Sequence, residues 1–224
     1  QVGLNVASDP VMSAAYMGTV GGILLIVADD PGPHSSQTEQ DTRLFAMFAK
    51  LPVLDPSSPE EALRMAGDAF AFSEEFRTPV ILRPTTRVCH ARQVMEVPAL
   101  NPEIPAPDFR RDPARWAATP GPRLTLHREL NERIARIRKH DWAKPRLVLG
   151  DRKAPVAVVS SGVSHSYLLD VLKGFDRWPG VCLYKVDMPY PMDPTELDRI
   201  ARRHKCVLVV EESEPVIELQ FTSR

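Results

Sequence analysis

The chain of 224 residues reads as an α/β protein built on two parallel sheets. Three observations carry this. Short apolar runs rich in Ile, Leu and Val alternate with stretches of helical periodicity. The alternation occurs twice, on either side of a proline-rich tract. Several of the runs end abruptly on charged or hydroxyl residues, and in open parallel sheets the ligand crevice lies beyond the carboxyl ends of the strands.

Val6 to Met17 carries Ala, Met and Tyr at helical spacing, with Ser8 and Asp9-Pro10 able to start a helix at Val11. Asn5 before it reads as a loop or cap residue. Gly18 breaks the helix, and Gly21-Gly22 admits the run Ile23 to Ala28, which has the unbroken apolar character of a central strand buried on both faces. That run lands on Asp29-Asp30-Pro31-Gly32-Pro33-His34-Ser35-Ser36, a loop stiffened by two prolines and a glycine. Spacing alone fits either a turn whose Asp and Ser side chains cap the next helix or a site-bearing loop. A helix over 39–49, a strand over 51–54, a helix from the Pro59-Glu60-Glu61 first turn to Phe76 and a strand over 78–82 follow. The last of these ends in Arg83-Pro84-Thr85-Thr86-Arg87. Its arginines suit bidentate pairing with a substrate carboxylate or an interdomain ion pair.

Residues 1–97 thus form a first domain. Prolines at 98, 102, 105, 107, 113, 120 and 122 then mark a semi-rigid linker, and Arg123 to Trp142 reads as a basic amphipathic helix, so 98–153 is taken as connecting structure. A second domain over 154–224 repeats the alternation, with strands at 156–159, 181–186 and 206–210 and helices at 164–174 and 195–204. Ser160-Ser161-Gly162 after its first strand suits a structural turn or a phosphate at a helix N-terminus, although no P-loop lysine accompanies it. His165 and His204 read as surface residues, and Glu211-Glu212 as poised between the domains.

Composition narrows the function. With 28 basic and 29 acidic residues, no field favours nucleic acid. Cys89, Cys182 and Cys206 are scattered, so no iron–sulfur or zinc site is expected from this chain alone, and a reducing cytoplasm is expected. No apolar run reaches membrane length, so no membrane contact is expected. Gln1-Val2-Gly3-Leu4-Asn5 reads like the interior of a longer polypeptide.

The stretches QVGLNVASDPVMSAAYMG, VADDPGPHSSQTEQDTR, RPTTRVCH, VAVVSSGVSHSYLLDVL and KCVLVVEESEPVIE together closely resemble the alpha subunit of indolepyruvate ferredoxin oxidoreductases. The second domain also resembles the C-terminal domain of transketolase. The resemblance implies part of a thiamine-pyrimidine-binding parallel-sheet domain followed by a transketolase C-terminal-like α/β domain. It implies oxidative decarboxylation of arylpyruvates to aryl-acetyl-CoA, with thiamine diphosphate, magnesium and 4Fe-4S clusters in the parent enzyme. The implied partners are a beta subunit, ferredoxin, coenzyme A and the arylpyruvate, in a homo-oligomer. By the same resemblance His34 is the catalytic candidate, Gly3, Asn5, Ser35 and Ser36 the cofactor-binding candidates, and Arg83, Thr86 and Arg87 the substrate-binding candidates; no metal ligand is expected. The family's pyrimidine-protonating glutamate and its diphosphate–magnesium motif have no counterpart in the sequence, so the chain alone is expected to be inactive and to hold no cofactor. Rival readings are another 2-oxoacid ferredoxin oxidoreductase, a transketolase-like enzyme, or a non-catalytic assembly module.

Overall fold

The computed structural model describes residues 2–32, 38–97, 106, 108–113, 115–174 and 180–222. The first sheet is built from β1 (Leu24–Ile26), β2 (Val53–Leu54) and β3 (Val80–Leu82), all parallel, in the order β1-β3-β2. Helices α1 (Val2–Val6) and α2 (Ser8–Met17) precede it, and α3 (Thr42–Ala49) and α4 (Pro59–Phe76) are its crossovers. Asp41 caps α3 by accepting from the Arg43 N–H, and Ser58 caps α4 by accepting from Glu61, with Pro59 at the first helical position. Both helices close on a left-handed residue, Lys50 and Arg77.

The β1 run is not central. It occupies an edge, and Ile26 stands 67 % exposed, whereas all three residues of β3 are buried. Inserting β3 between the first two strands takes the middle of the sheet away from β1, so apolar continuity there does not mark burial on both faces. Two short helices went unread: α1, and α5 (Thr86–His90), which begins within the Thr-Thr-Arg turn.

Helix α6 (Arg123–Ile137) presents Leu126, Leu130, Ile134 and Ile137 inward. Ile134 and Ile137 join the core of the first sheet beside Phe72, Phe76 and Ala69. The buried Arg133 ties it down, its guanidinium donating to the carbonyls of Arg77 and Tyr16.

The second sheet holds β4 (Arg146–Leu149), β5 (Val156–Ser160), β6 (Val181–Lys185) and β7 (Cys206–Val210) in the order β4-β6-β5-β7. Strand β4 is an antiparallel edge that the sequence reading passed over; four residues between Pro145 and Gly150, set among charges, give too short a pattern. Helices α7 (Gly162–Lys173), α8 (Pro194–Arg203) and α9 (Val216–Thr222) cover this sheet, α9 being likewise unread. Residues 187–190 of the second half reach across to the outer edge of β2. Val53 donates to the Tyr190 carbonyl at 2.9 Å and Asp55 to that of Asp187 at 3.1 Å. Met188 and Tyr190 are buried in the first core. The two halves therefore share backbone hydrogen bonds and apolar packing.

Candidate functional site where the two sheets meet

The carboxyl ends of both sheets are turned toward one seam. From the first come Asp29 beyond β1, Asp55 after β2 and Arg83 after β3; from the second come Ser160 and Ser161, Lys185 and Glu211. Arg83 is fully buried. Its Nε donates to Asp29 at 2.7 Å, Nη1 lies 3.4 Å from Asp55, and Nη2 is 3.8 Å from Asp41. Asp29 in turn accepts from the backbone N–H and hydroxyl of Thr42, which pins together the two ends of the loop between β1 and α3. Arg43, also fully buried, crosses the seam. Its guanidinium donates to Asp41 at 2.6 Å, to Glu211 at 2.8 Å, and to the carbonyls of Glu212 and Glu214.

Two further contacts lock the halves. Ser161, at the N-terminus of α7, donates its hydroxyl to Asp55 at 2.7 Å. Gly162 has φ +53°, and a Cβ there would stand 2.7 Å from both Asp55 carboxylate oxygens. A protein carboxylate thus occupies the helix N-terminus that the sequence offered to a phosphate. Lys185 is paired with Glu61 of α4 and, at 3.3 Å, with Asp187.

Electrostatics follow from burial. Desolvation pushes the Glu211 and Glu212 carboxyls above their ordinary range, and the nearby arginines offset only part of that. Burial acts the same way on Asp41 and Glu61. There, hydrogen bonds and charge from Arg43 and from Lys185 respectively outweigh it, and both carboxyls fall below the usual range. For Arg83 the three surrounding aspartates overcome desolvation and strengthen the hold on its proton. His165 is buried, against the surface reading; desolvation and the Lys185 charge lower it to about 4, and its Nδ1 lies 3.0 Å from the Ser160 hydroxyl. His204 is buried too, bonded to the Ala154 carbonyl and to Tyr184. Both histidines sit at helix boundaries facing a sheet, where the imidazole satisfies buried polar groups.

Among the sequence candidates, His34, Ser35 and Ser36 lie outside the described residues. Gly3 is on an exposed turn of α1, where an added Cβ would meet nothing within 4 Å. Asn5, on the same helix, donates its amide to Gln40 at 2.8 Å. Both Asn5 and Gln40 line a groove of about 340 Å³ whose apolar wall is Leu4, Leu44 and Phe45. Thr86 is tied to Asp29 and Asp30, and Arg83 to the aspartates above. Arg87 alone of that group points outward, its guanidinium 5.8 Å from the centroid of the Tyr167 ring on α7. The sequence reading missed Asp41, Arg43, Asp55 and Lys185; for Asp55 and Lys185 the available signal was a charge directly after or inside a strand otherwise apolar, and for Asp41 it was the N-cap position before α3.

No model of a known protein family matches the chain. Indolepyruvate oxidoreductase subunit IorA of Methanothermobacter thermautotrophicus is 39 % identical over 219 residues, covering 97 % of this chain. The IorA subunit of Thermococcus kodakarensis is 40 % identical over 233 residues, covering 98 %. The chain spans 35 % of the length of each of these relatives. Among solved structures, the 2-oxoglutarate:ferredoxin oxidoreductase of Magnetococcus marinus, with 2-oxoglutarate, coenzyme A and succinyl-CoA bound, superposes with a TM-score of 0.68. That match covers 93 % of this chain and 44 % of the other at 14 % identity, and shows a shared fold.

Proposed function

We propose that this chain, which belongs to the IorA family of indolepyruvate oxidoreductase subunits over the 35 % of those subunits that it matches, supplies the two-sheet portion of an oxidative arylpyruvate decarboxylase. The observation that carries the reading is identity near 40 % sustained along 97–98 % of the chain, through both sheets and the connection between them. The reaction assigned is conversion of an arylpyruvate and coenzyme A to the aryl-acetyl-CoA, carbon dioxide, one proton and two electrons for ferredoxin.

Thiamine diphosphate, when bound, supplies the electron sink that makes loss of carbon dioxide from a 2-oxoacid feasible. The groove beside α1 and α3 suits one end of that cofactor: an apolar wall of Leu4, Leu44 and Phe45 faces amide groups of Asn5 and Gln40, as a flat aminated ring requires. Among the described residues no cluster of three His, Cys, Asp or Glu side chains is arranged to hold a metal. By the family resemblance, the diphosphate, its magnesium and the 4Fe-4S clusters are assigned to other parts of the assembly, including the beta subunit.

His34, Ser35 and Ser36 belong to the loop whose base is pinned by Asp29, Thr42 and Arg83. Their assigned roles are to orient the substrate and, for His34, to hold or return a proton at the 2-oxo oxygen. Arg87, exposed beside Tyr167 and in no salt bridge among the described residues, is assigned to an anionic group of substrate or co-substrate. A cytoplasmic homo-oligomer containing the beta subunit completes the proposal. The test is mass-spectrometric analysis of the assembled enzyme with indolepyruvate, coenzyme A and ferredoxin. Indoleacetyl-CoA together with reduced ferredoxin is expected; a free aldehyde, or no 2-oxoacid-dependent reduction, contradicts the assignment.

A further inference from the structure

The turn that leaves β7 sets two glutamates at the seam, and their surroundings differ. Glu211 is satisfied as a carboxylate: it accepts from Arg43 at 2.8 Å and from the backbone N–H groups of Ile217 and Glu218 at 3.0–3.1 Å. Glu212 is not. Its Oε2 is buried and meets no hydrogen-bond donor among the described residues. The backbone that carries it is fixed, because Arg43 holds the carbonyls of Glu212 and Glu214 and Ser213 between them is left-handed, at φ +64°. Facing Glu212 are Asp55 and Arg83 from the ends of β2 and β3, Arg43 from α3 and Arg87 from α5. Asp29, Asp41 and Glu211 bind the same two inner arginines. With Asp55 and Glu212, five carboxyl groups thus share three guanidiniums, one of which, that of Arg87, belongs to an exposed residue.

We infer that Glu212 is the protonated member of this seam and acts as its latch: as a neutral acid it lets the two halves close, and once ionised it sets a charge against Asp55 and loosens them. A buried carboxyl oxygen with no donor of its own lowers its cost by keeping a proton. No metal takes the proton's place, since no cluster of three His, Cys, Asp or Glu among the described residues is arranged to hold one. Asp55 cannot withdraw, being held by the Ser161 hydroxyl at 2.7 Å and beside Arg83. Burial raises the Glu212 carboxyl above its ordinary range; Arg83 opposes this and Asp55 adds to it, with Arg43 and Arg87 on the side of Arg83. Linkage fixes the sense of the effect. The unfolded chain releases this proton near 4.5, so the contribution of Glu212 is whole below 4.5 and is lost as pH rises from there to its higher folded value. His165 acts in the opposite sense and is untouched by Glu212→Gln, so the difference between wild type and that variant isolates the latch.

The direct test is NMR titration of the side-chain carboxyl carbons of the wild-type chain, the Glu212 signal being assigned through its own backbone resonances. Glu212 should keep its proton to a higher pH than free glutamate does. Amide hydrogen exchange then reads the seam itself. Val53 and Asp55 donate across it to the carbonyls of Tyr190 and Asp187, whereas Ile81 donates to Pro52 inside the first half. Compared with Glu212→Gln at the same pH, wild-type protection at Val53 and Asp55 should fall at least about threefold as pH passes the Glu212 midpoint, with Ile81 unchanged. A Glu212 midpoint at or below that of free glutamate overturns the inference, and so does equal protection of the two proteins at every pH. A pH response abolished by Glu211→Gln and kept by Glu212→Gln overturns the assignment to Glu212. Should Glu212→Gln lose the fold by circular dichroism, the wild-type carboxyl titration decides alone.

Discussion

Replacing Arg43 with methionine removes the guanidinium that stitches α3 to the end of β7. In the wild-type chain this group donates to Asp41 and Glu211 and to the carbonyls of Glu212 and Glu214, with no exposed surface of its own. Methionine restores apolar volume and none of the donors, so two buried carboxylates lose their main counter-charge. Removing one member of such a pair costs about 3–5 kcal/mol, most of it the cost of an uncompensated buried charge. For a chain of this size each kcal/mol lowers the midpoint of thermal unfolding by about 2–4 °C, so a fall of about 6–20 °C is expected. Urea titration followed by circular dichroism gives the free energy. Combining Arg43→Met with Glu211→Gln should then cost less than the two separate losses added together, by at least about 1 kcal/mol, because one stranded charge disappears. A loss below about 1 kcal/mol for Arg43→Met alone, or strict additivity with Glu211→Gln, refutes the claim that these charges hold the halves together.

His165 gives a pH signature. Its imidazole is lowered from 6.5 to about 4 by burial and by Lys185, so the unfolded chain takes up the proton first as pH falls. The stability it contributes is complete above 6.5 and lost between 6.5 and about 4, amounting to about 3 kcal/mol. His165→Asn should flatten the urea midpoint across that interval; an unchanged slope refutes the buried, neutral assignment. The glycines at 162 and 67 should respond oppositely to alanine. Gly162→Ala meets a positive φ and the Asp55 carboxylate, and should lose about 1–3 kcal/mol. Gly67→Ala, inside α4 with open space around it, should gain about 0.5–1 kcal/mol by thermal unfolding. Equal responses would mean that Asp55 does not seat against α7.

The alternation of strands and helices was legible because periodicity and caps are local. Asp-Pro at 193–194, Ser-Pro at 58–59 and the apolar run 206–210 each carry their own signal. Strand order was not legible, since it depends on which crossover inserts where, and β1 was assigned to the middle of a sheet in which it forms an edge. Nor did α5 and α9 announce themselves, each being too short for a periodic pattern. At the seam, the acids and arginines at strand ends were visible one by one. Their pairing was not, because Arg43 and Glu211 are separated by 168 residues. Arg83 illustrates the limit: an arginine ending a strand looks the same whether it faces a substrate carboxylate or three aspartates of its own domain.

The measurement that bears most directly on the account is the ranking of kcat/KM for indolepyruvate, phenylpyruvate, pyruvate and 2-oxoglutarate, with ferredoxin reduction as the readout in the assembled enzyme. The two aryl substrates should lead the other two by at least about tenfold. Preference for pyruvate or 2-oxoglutarate would keep the fold and discard the substrate, and indifference to all four would contradict the proposed reaction itself.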